Sequence, residues 1–139
     1  YYNPSSQIAV RLLEWDESVA VNDAWWDRVV RDSLARRRVL LEDPDTTACR
    51  LIYADSDCLP GLIVDKLGPV LVVEYHALGF FRLRAEIESA LAQLYPGTPI
   101  HTRVPEHVAR VERFDLRELN ALPGPAPEIE VTPEGSPRK

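Results

Sequence analysis

The sequence predicts an α+β domain, a small antiparallel sheet covered by a helix, preceded by the last strand of another domain and a connecting helix. Three observations carry that prediction. Short β-prone runs separated by tight turns fill residues 49–75. Apolar residues between Phe80 and Leu94 recur at helical spacing. A second helical pattern, residues 22–41, follows a lone alternating run near the N-terminus.

In chain order, Gln7 to Trp15 alternates Ile8, Val10 and Leu12 with Gln7, Ala9 and Arg11, the period of a half-buried strand. No partner strand precedes it, so its hydrogen-bonding neighbours are expected upstream. Asp16-Glu17-Ser18 turns the chain. Asn22 is a good N-cap, Asp23 suits the first turn, and the helix is expected to run to about Leu41 with Trp26, Val30, Leu34 and Leu41 near one face. Trp25 and Trp26 have the look of a docking anchor, although paired tryptophans serve core packing more often. The polar, proline-containing run from Glu42 to Ala48 is a connector.

Cys49–Ala54 is expected as a strand, Asp55-Ser56-Asp57 and Pro60-Gly61 as turns, and Leu62–Asp65 as a second strand. A reversal at Asp65-Lys66-Leu67-Gly68 leads to a β-branched strand, Val70–Tyr75, giving a three-stranded meander. The covering helix runs from about Leu83 to Leu94 and ends at Pro96-Gly97. Ile100–Val104 supplies a further strand and Glu106 to about Leu116 a short helix. Beyond Leu122, five prolines from Pro123 to Pro137 mark a linker broken by one small strand, Ile129–Val131.

At 139 residues and 45% hydrophobic, the chain has room for one core of moderate size and not for a two-domain enzyme. With no run approaching a membrane span and no basic-then-apolar leader, the cytoplasm is the expected compartment and no membrane partner is expected. There is no methionine, so Tyr1 is not expected to start translation and the chain reads as part of a longer protein. Sixteen basic against 22 acidic residues give a net charge of −6, the wrong sign for a stand-alone polyanion binder. The one basic cluster is Arg28, Arg31, Arg36, Arg37 and Arg38, which on a helix spreads over more than one face. A solvated face pairing with Asp27 and Asp32 explains it more simply than a phosphate-binding stripe.

No phosphate-cradling glycine loop occurs, so nucleotide binding is not expected. Asp55, Asp57 and Asp65 invite a calcium site, but a loop starting at Asp55 would need a ligand at Leu59, glycine at Pro60 and glutamate at Lys66. Turn formation explains them better. His76, His101 and His107 follow no metal or hydrolase spacing. Cys49 reads as core, and Cys58 as an exposed turn residue beside Asp57, a setting that does not activate a thiolate. No catalytic, metal or cofactor residue is therefore assigned.

Two segments nevertheless carry a resemblance. Tyr2-Asn3-Pro4-Ser5-Ser6-Gln7-Ile8-Ala9-Val10-Arg11 resembles the exit from the N-terminal PUA domain of the RlmI-type 23S ribosomal RNA cytosine-C5 methyltransferases. Tyr53-Ala54-Asp55-Ser56-Asp57-Cys58-Leu59-Pro60-Gly61-Leu62-Ile63-Val64-Asp65 is similar to their central-domain signature. Glycine is usual where Cys58 stands. Around Arg103 the run is Thr102-Arg103-Val104-Pro105, where glutamate-arginine-serine-aspartate is usual.

The resemblance covers residues 1 to about 122. It implies a division into the end of a PUA-like domain (1–18), a connecting helix and linker (19–48), a central domain (49–122) and a proline-rich linker (123–139) toward a methyltransferase domain. Such enzymes bind S-adenosylmethionine (SAM), attack carbon 6 of a cytosine with a cysteine thiolate and methylate carbon 5, which the nucleophile has made electron-rich. The catalytic cysteine and SAM loop of the family fall beyond Lys139, so the resemblance implies no catalysis and no cofactor within this chain. It implies ribosomal RNA as partner of the parent protein, with Arg28, Arg31, Arg36, Arg37, Arg38 and Arg103 as the RNA-contact candidates. A stand-alone protein-interaction module docking through Trp25-Trp26 is the alternative.

Overall fold

The computed structural model describes residues 1–115, 117, 119, 121 and 122. The fold is α+β, with the order α1 (Asp23–Arg36), α2 (Arg38–Glu42), β1 (Ala48–Tyr53), a 3-10 turn (Ala54–Asp57), β2 (Leu62–Leu67), β3 (Val70–Tyr75), α3 (Leu78–Arg82), α4 (Arg84–Leu94), β4 (Ile100–Arg103) and α5 (Glu106–Glu112). The proline-rich linker and the strand expected at Ile129–Val131 lie outside the described residues.

β1, β2 and β3 form the expected antiparallel meander, in the order β1-β2-β3-β4. β2 runs on to Leu67, two residues further than expected, so the hairpin closes on Gly68 and Pro69. β4 pairs with β3 in parallel, from Leu71 opposite Ile100 to Glu74 opposite Arg103, which makes the sheet mixed. The cause lies in the connection, because α3 and α4 carry the chain back across one face before β4 begins, as a parallel pair requires. A register shift between Arg50 and Ile52 lets consecutive residues Leu51 and Ile52 both be buried.

The core lies between the sheet and α1, α3 and α4. Leu62, Val64, Leu71, Val73 and Tyr75 point into it from the strands, and Trp26, Val30, Phe80, Phe81, Ile87 and Leu91 from the helices. Trp26 packs edge-on against Phe80 with ring centroids 6.0 Å apart and against Trp25 at 4.8 Å. Both tryptophans are buried, at 4% and 1% exposure, so they are core side chains and cannot dock a partner.

Asn22 caps α1 by accepting from the Trp25 N–H at 3.1 Å, as expected. The single helix expected over residues 22–41 is instead two. It breaks at Arg37, whose N–H bonds to the Leu34 and Ala35 carbonyls while its guanidinium reaches back to the Ser33 carbonyl and across to the sheet. The covering helix likewise begins earlier, at Leu78, and is interrupted at Leu83.

The strand expected over Gln7–Trp15 does not form. Its one pairing is a bridge between Val10 and Tyr2, fastened by Asn3 N–H to Ala9 O at 2.8 Å and Arg11 N–H to Tyr1 O at 2.9 Å. The chain turns at Pro4 and Ser5 and closes on itself through Tyr1–Asn3, so the alternating run forms the side of a narrow loop and not a strand of a ladder. Its apolar side, Ile8, Val10 and Leu12, is more than half exposed.

Candidate functional site

The signature around Asp57 is a folding device. Between β1 and β2 the chain must reverse inside the eight residues 54–61, and it does so through left-handed backbone at Ala54 (φ 41°), Cys58 (φ 59°) and Gly61 (φ 105°). A Cβ at Gly61 would sit 2.7 Å from the Ala77 Cβ, so only glycine fits. Cys58 does hold a left-handed conformation with a Cβ, and it is exposed, whereas Cys49 is buried.

Asp57 is the centre of this turn, with its side chain only 1% exposed. Its carboxylate accepts from Arg37 Nη1 and Nη2, both at 2.6 Å, from Arg36 Nε at 3.0 Å and from the Tyr53 backbone N–H at 2.6 Å. Burial alone would raise its pKa, but the hydrogen bonds from Arg37, the Tyr53 amide and Arg36 together hold it below 3.8. Arg37 also donates to the Arg50 carbonyl at 3.1 Å. The two arginines thus bolt the end of α1 onto the β1–β2 connection.

A second buried carboxylate, Glu112 at the end of α5, does the same for the N-terminal segment. It accepts from Ser6 Oγ, Asn3 Nδ2 (3.2 Å), Arg11 Nη2 (3.1 Å) and the Leu78 N–H (3.2 Å). Burial again opposes ionisation, and the Ser6 and Leu78 hydrogen bonds with the Arg11 charge outweigh it, so the pKa lies below 4.5. The bonds from Asn3, Ser6 and Arg11 span more than a hundred residues of sequence. Glu14 performs a lighter version at the surface. Trp25 Nε1 at 2.9 Å, the backbone N–H groups of Trp15 and Asp16, and Arg28 hold its pKa down to about 2.

Both buried carboxylates ionise more readily in the folded chain than in the unfolded one, so each contributes stability at neutral pH that disappears on acidification. The urea midpoint is expected to be flat above pH 5 or so and to fall as the pH drops through 4.5 and 3.8 toward the lowered native values. A midpoint that stays flat well below the ordinary carboxylate values would contradict the two clusters.

The structure disperses the arginines picked out from the sequence. Arg28 pairs with Glu14 at 3.2 Å, Arg31 with Asp27 at 2.8 Å, Arg38 with Glu42 at 3.9 Å and Arg103 with Glu74 at 3.1 Å. Only Arg36 and Arg37 are brought together, and they converge on a carboxylate. Sequence reasoning missed this role of Asp57 and missed Glu112 altogether. The signal for the first was the presence of Asp57 inside the signature; for Glu112 there was none, because its donors lie at the far end of the chain. Asp65, the third aspartate considered, pairs with Arg50 at 2.8 Å, and Arg50 lies 5.0 Å over the Tyr53 ring. No group of three or more potential metal ligands occurs among the described residues. No described helix is long and apolar enough to cross a membrane.

This fold recurs in solved structures. A Streptococcus mutans protein described as "a putative SAM-dependent methyltransferase" superposes with a TM-score of 0.62 at 23% identity, over 67% of this chain and 25% of that one. A second, described as "a putative methyltransferase complexed with SAH", gives 0.60 at 24% identity over 65% and 24%. The chain therefore has the fold of about a quarter of each of these larger proteins. No family model matches it. Among curated proteins it is 36% identical over 102 residues to ribosomal RNA large subunit methyltransferase I of Pseudoalteromonas translucida, covering 73% of this chain and 26% of that protein. To the proteins of the same name from Klebsiella pneumoniae and Escherichia coli it is 33% and 32% identical over 117 residues, 84% of this chain and 29–30% of theirs. Over most of its length the chain is homologous to one segment of the ribosomal RNA large subunit methyltransferase I proteins, and it spans between a quarter and a third of the length of these relatives.

Proposed function

We propose that this chain is the non-catalytic segment of a SAM-dependent rRNA (cytosine-C5) methyltransferase that holds an RNA-binding domain and a catalytic domain in fixed relation. The division follows the resemblance: the end of a PUA-like domain (1–18), a connecting helix and linker (19–48), the central domain (49–122) and a linker (123–139). The partner is ribosomal RNA, SAM is bound by another part of the parent protein, and the work is done in the cytoplasm.

The observation that carries this reading is the Glu112 cluster. It fastens the N-terminal residues Asn3, Ser6 and Arg11 to the end of α5, so whatever precedes and follows is presented from one rigid body. The exposed apolar strip Ile8, Val10 and Leu12 borders a groove of about 530 Å³ with Pro60, Ile63 and His76, and gives the preceding domain an apolar seat.

The test is methyl transfer. The natural polypeptide containing this sequence, incubated with methyl-labelled SAM and 23S rRNA lacking its modifications, is expected to label carbon 5 of a cytosine, while the 139-residue chain alone transfers nothing. A natural polypeptide that neither binds SAM nor labels the RNA would sink the proposal.

A further inference from the structure

Each arginine singled out on the helix and at β4 already has a carboxylate, and an arginine so neutralised has little charge left to offer a phosphate. Two others differ. Arg82, ending α3, and Arg113, following α5, are both exposed and have no carboxylate within ion-pair distance among the described residues. They line the same cleft, about 260 Å³, between the N-terminal segment and the ends of these helices. The one acid in it, Glu112, is spent on Asn3, Ser6, Arg11 and the Leu78 N–H, so the charge that remains in the cleft is positive. Arg113 also stands in left-handed backbone (φ 56°) at the helix C-terminus, a place that favours glycine or asparagine. Tyr2, 68% exposed, lines the cleft and offers a face for an unstacked base beside a bound phosphate.

We propose that this cleft binds a phosphodiester of single-stranded RNA through Arg82 and Arg113, with Tyr2 stacking an adjacent base. The inference rests on the RNA reading of the proposed function and moves the contact from the Arg28–Arg38 cluster and Arg103 to the cleft. It is tested by the salt dependence of binding of the 139-residue chain to a short fluorescein-labelled single-stranded oligoribonucleotide. Losing one phosphate contact flattens the plot of log affinity against log salt by about 0.7, so Arg82→Gln with Arg113→Gln, which releases the one phosphodiester held by both, is expected to flatten it by about 0.7. The pair Arg82→Lys with Arg113→Lys keeps the charge and is expected to keep the slope. Arg28→Gln, Arg31→Gln and Arg38→Gln together are expected to leave it unchanged.

An unchanged slope in the glutamine pair, with wild type binding normally, would overturn the cleft and leave the RNA reading standing. Flattening by the Arg28, Arg31 and Arg38 triple variant in place of the cleft pair would overturn it too. Failure of the wild-type chain to bind RNA at all would remove direct RNA contact by this segment, and the cleft with it.

Discussion

Asp57→Ala is expected to destabilise the chain by about 3–4 kcal/mol, the scale for removing one member of a buried ion pair. The size follows from what is left behind. Arg37, whose side chain is only 16% exposed, would face a vacated site with no carboxylate, and the Tyr53 N–H would lose its acceptor. Arg36 is half exposed and can return to water, so it adds little to the loss. Asp57→Asn keeps an oxygen for the Tyr53 amide but loses the charge, and is expected to fall between. Urea denaturation followed by tryptophan fluorescence measures both, since Trp25 and Trp26 lie on the helix that the clamp holds. A loss below about 1 kcal/mol for the alanine variant would show Asp57 to be an ordinary surface pair.

Glu112→Ala is expected to be of similar scale, about 3 kcal/mol, by the same buried-pair argument, because Glu112 and Arg11 are 4% and 10% exposed. Its signature differs. The N-terminal segment hangs on this carboxylate through Asn3, Ser6 and Arg11, whereas the sheet does not depend on it. Limited proteolysis should therefore cut within residues 1–12 of the variant well before the sheet is attacked, and hydrogen exchange should rise first at the Asn3 and Arg11 amides. Uniform loss of protection across the chain would mean that Glu112 supports the whole core and not the N-terminal attachment.

The two clusters show where sequence reading reaches and where it stops. Patterns that belong to one element were legible: the meander from Cys49 to Tyr75, the cap at Asn22, the helix over Phe80 to Leu94 with its end at Pro96-Gly97. The left-handed backbone at Cys58 was legible too, because a glycine is usual there. The parallel pairing of β4 could have been read from the helix that separates it from β3, since a crossover of that length returns a strand in the same direction.

Partner choice was not legible. Arg36 and Arg37 looked like basic cluster members because their spacing says nothing about Asp57, which arrives from twenty residues further on. The lone alternation of Ile8, Val10 and Leu12 predicts a strand, but alternation reports one apolar side and not the neighbour needed to make a ladder. The same limit applied to Trp25-Trp26, whose burial depends on α4 and the sheet arriving to cover them.

A segment that holds two domains in register has to be one rigid body from Asn3 to Glu112. The most direct measurement is a pulsed electron–electron distance between spin labels at Tyr2→Cys and Val111→Cys, both exposed positions, in a Cys58→Ser background with Cys49 buried. A single narrow distance distribution, broadened by Glu112→Ala, is the result predicted. A broad distribution in the protein that retains Glu112 would contradict the claim, because a segment free to move cannot hold two domains in register.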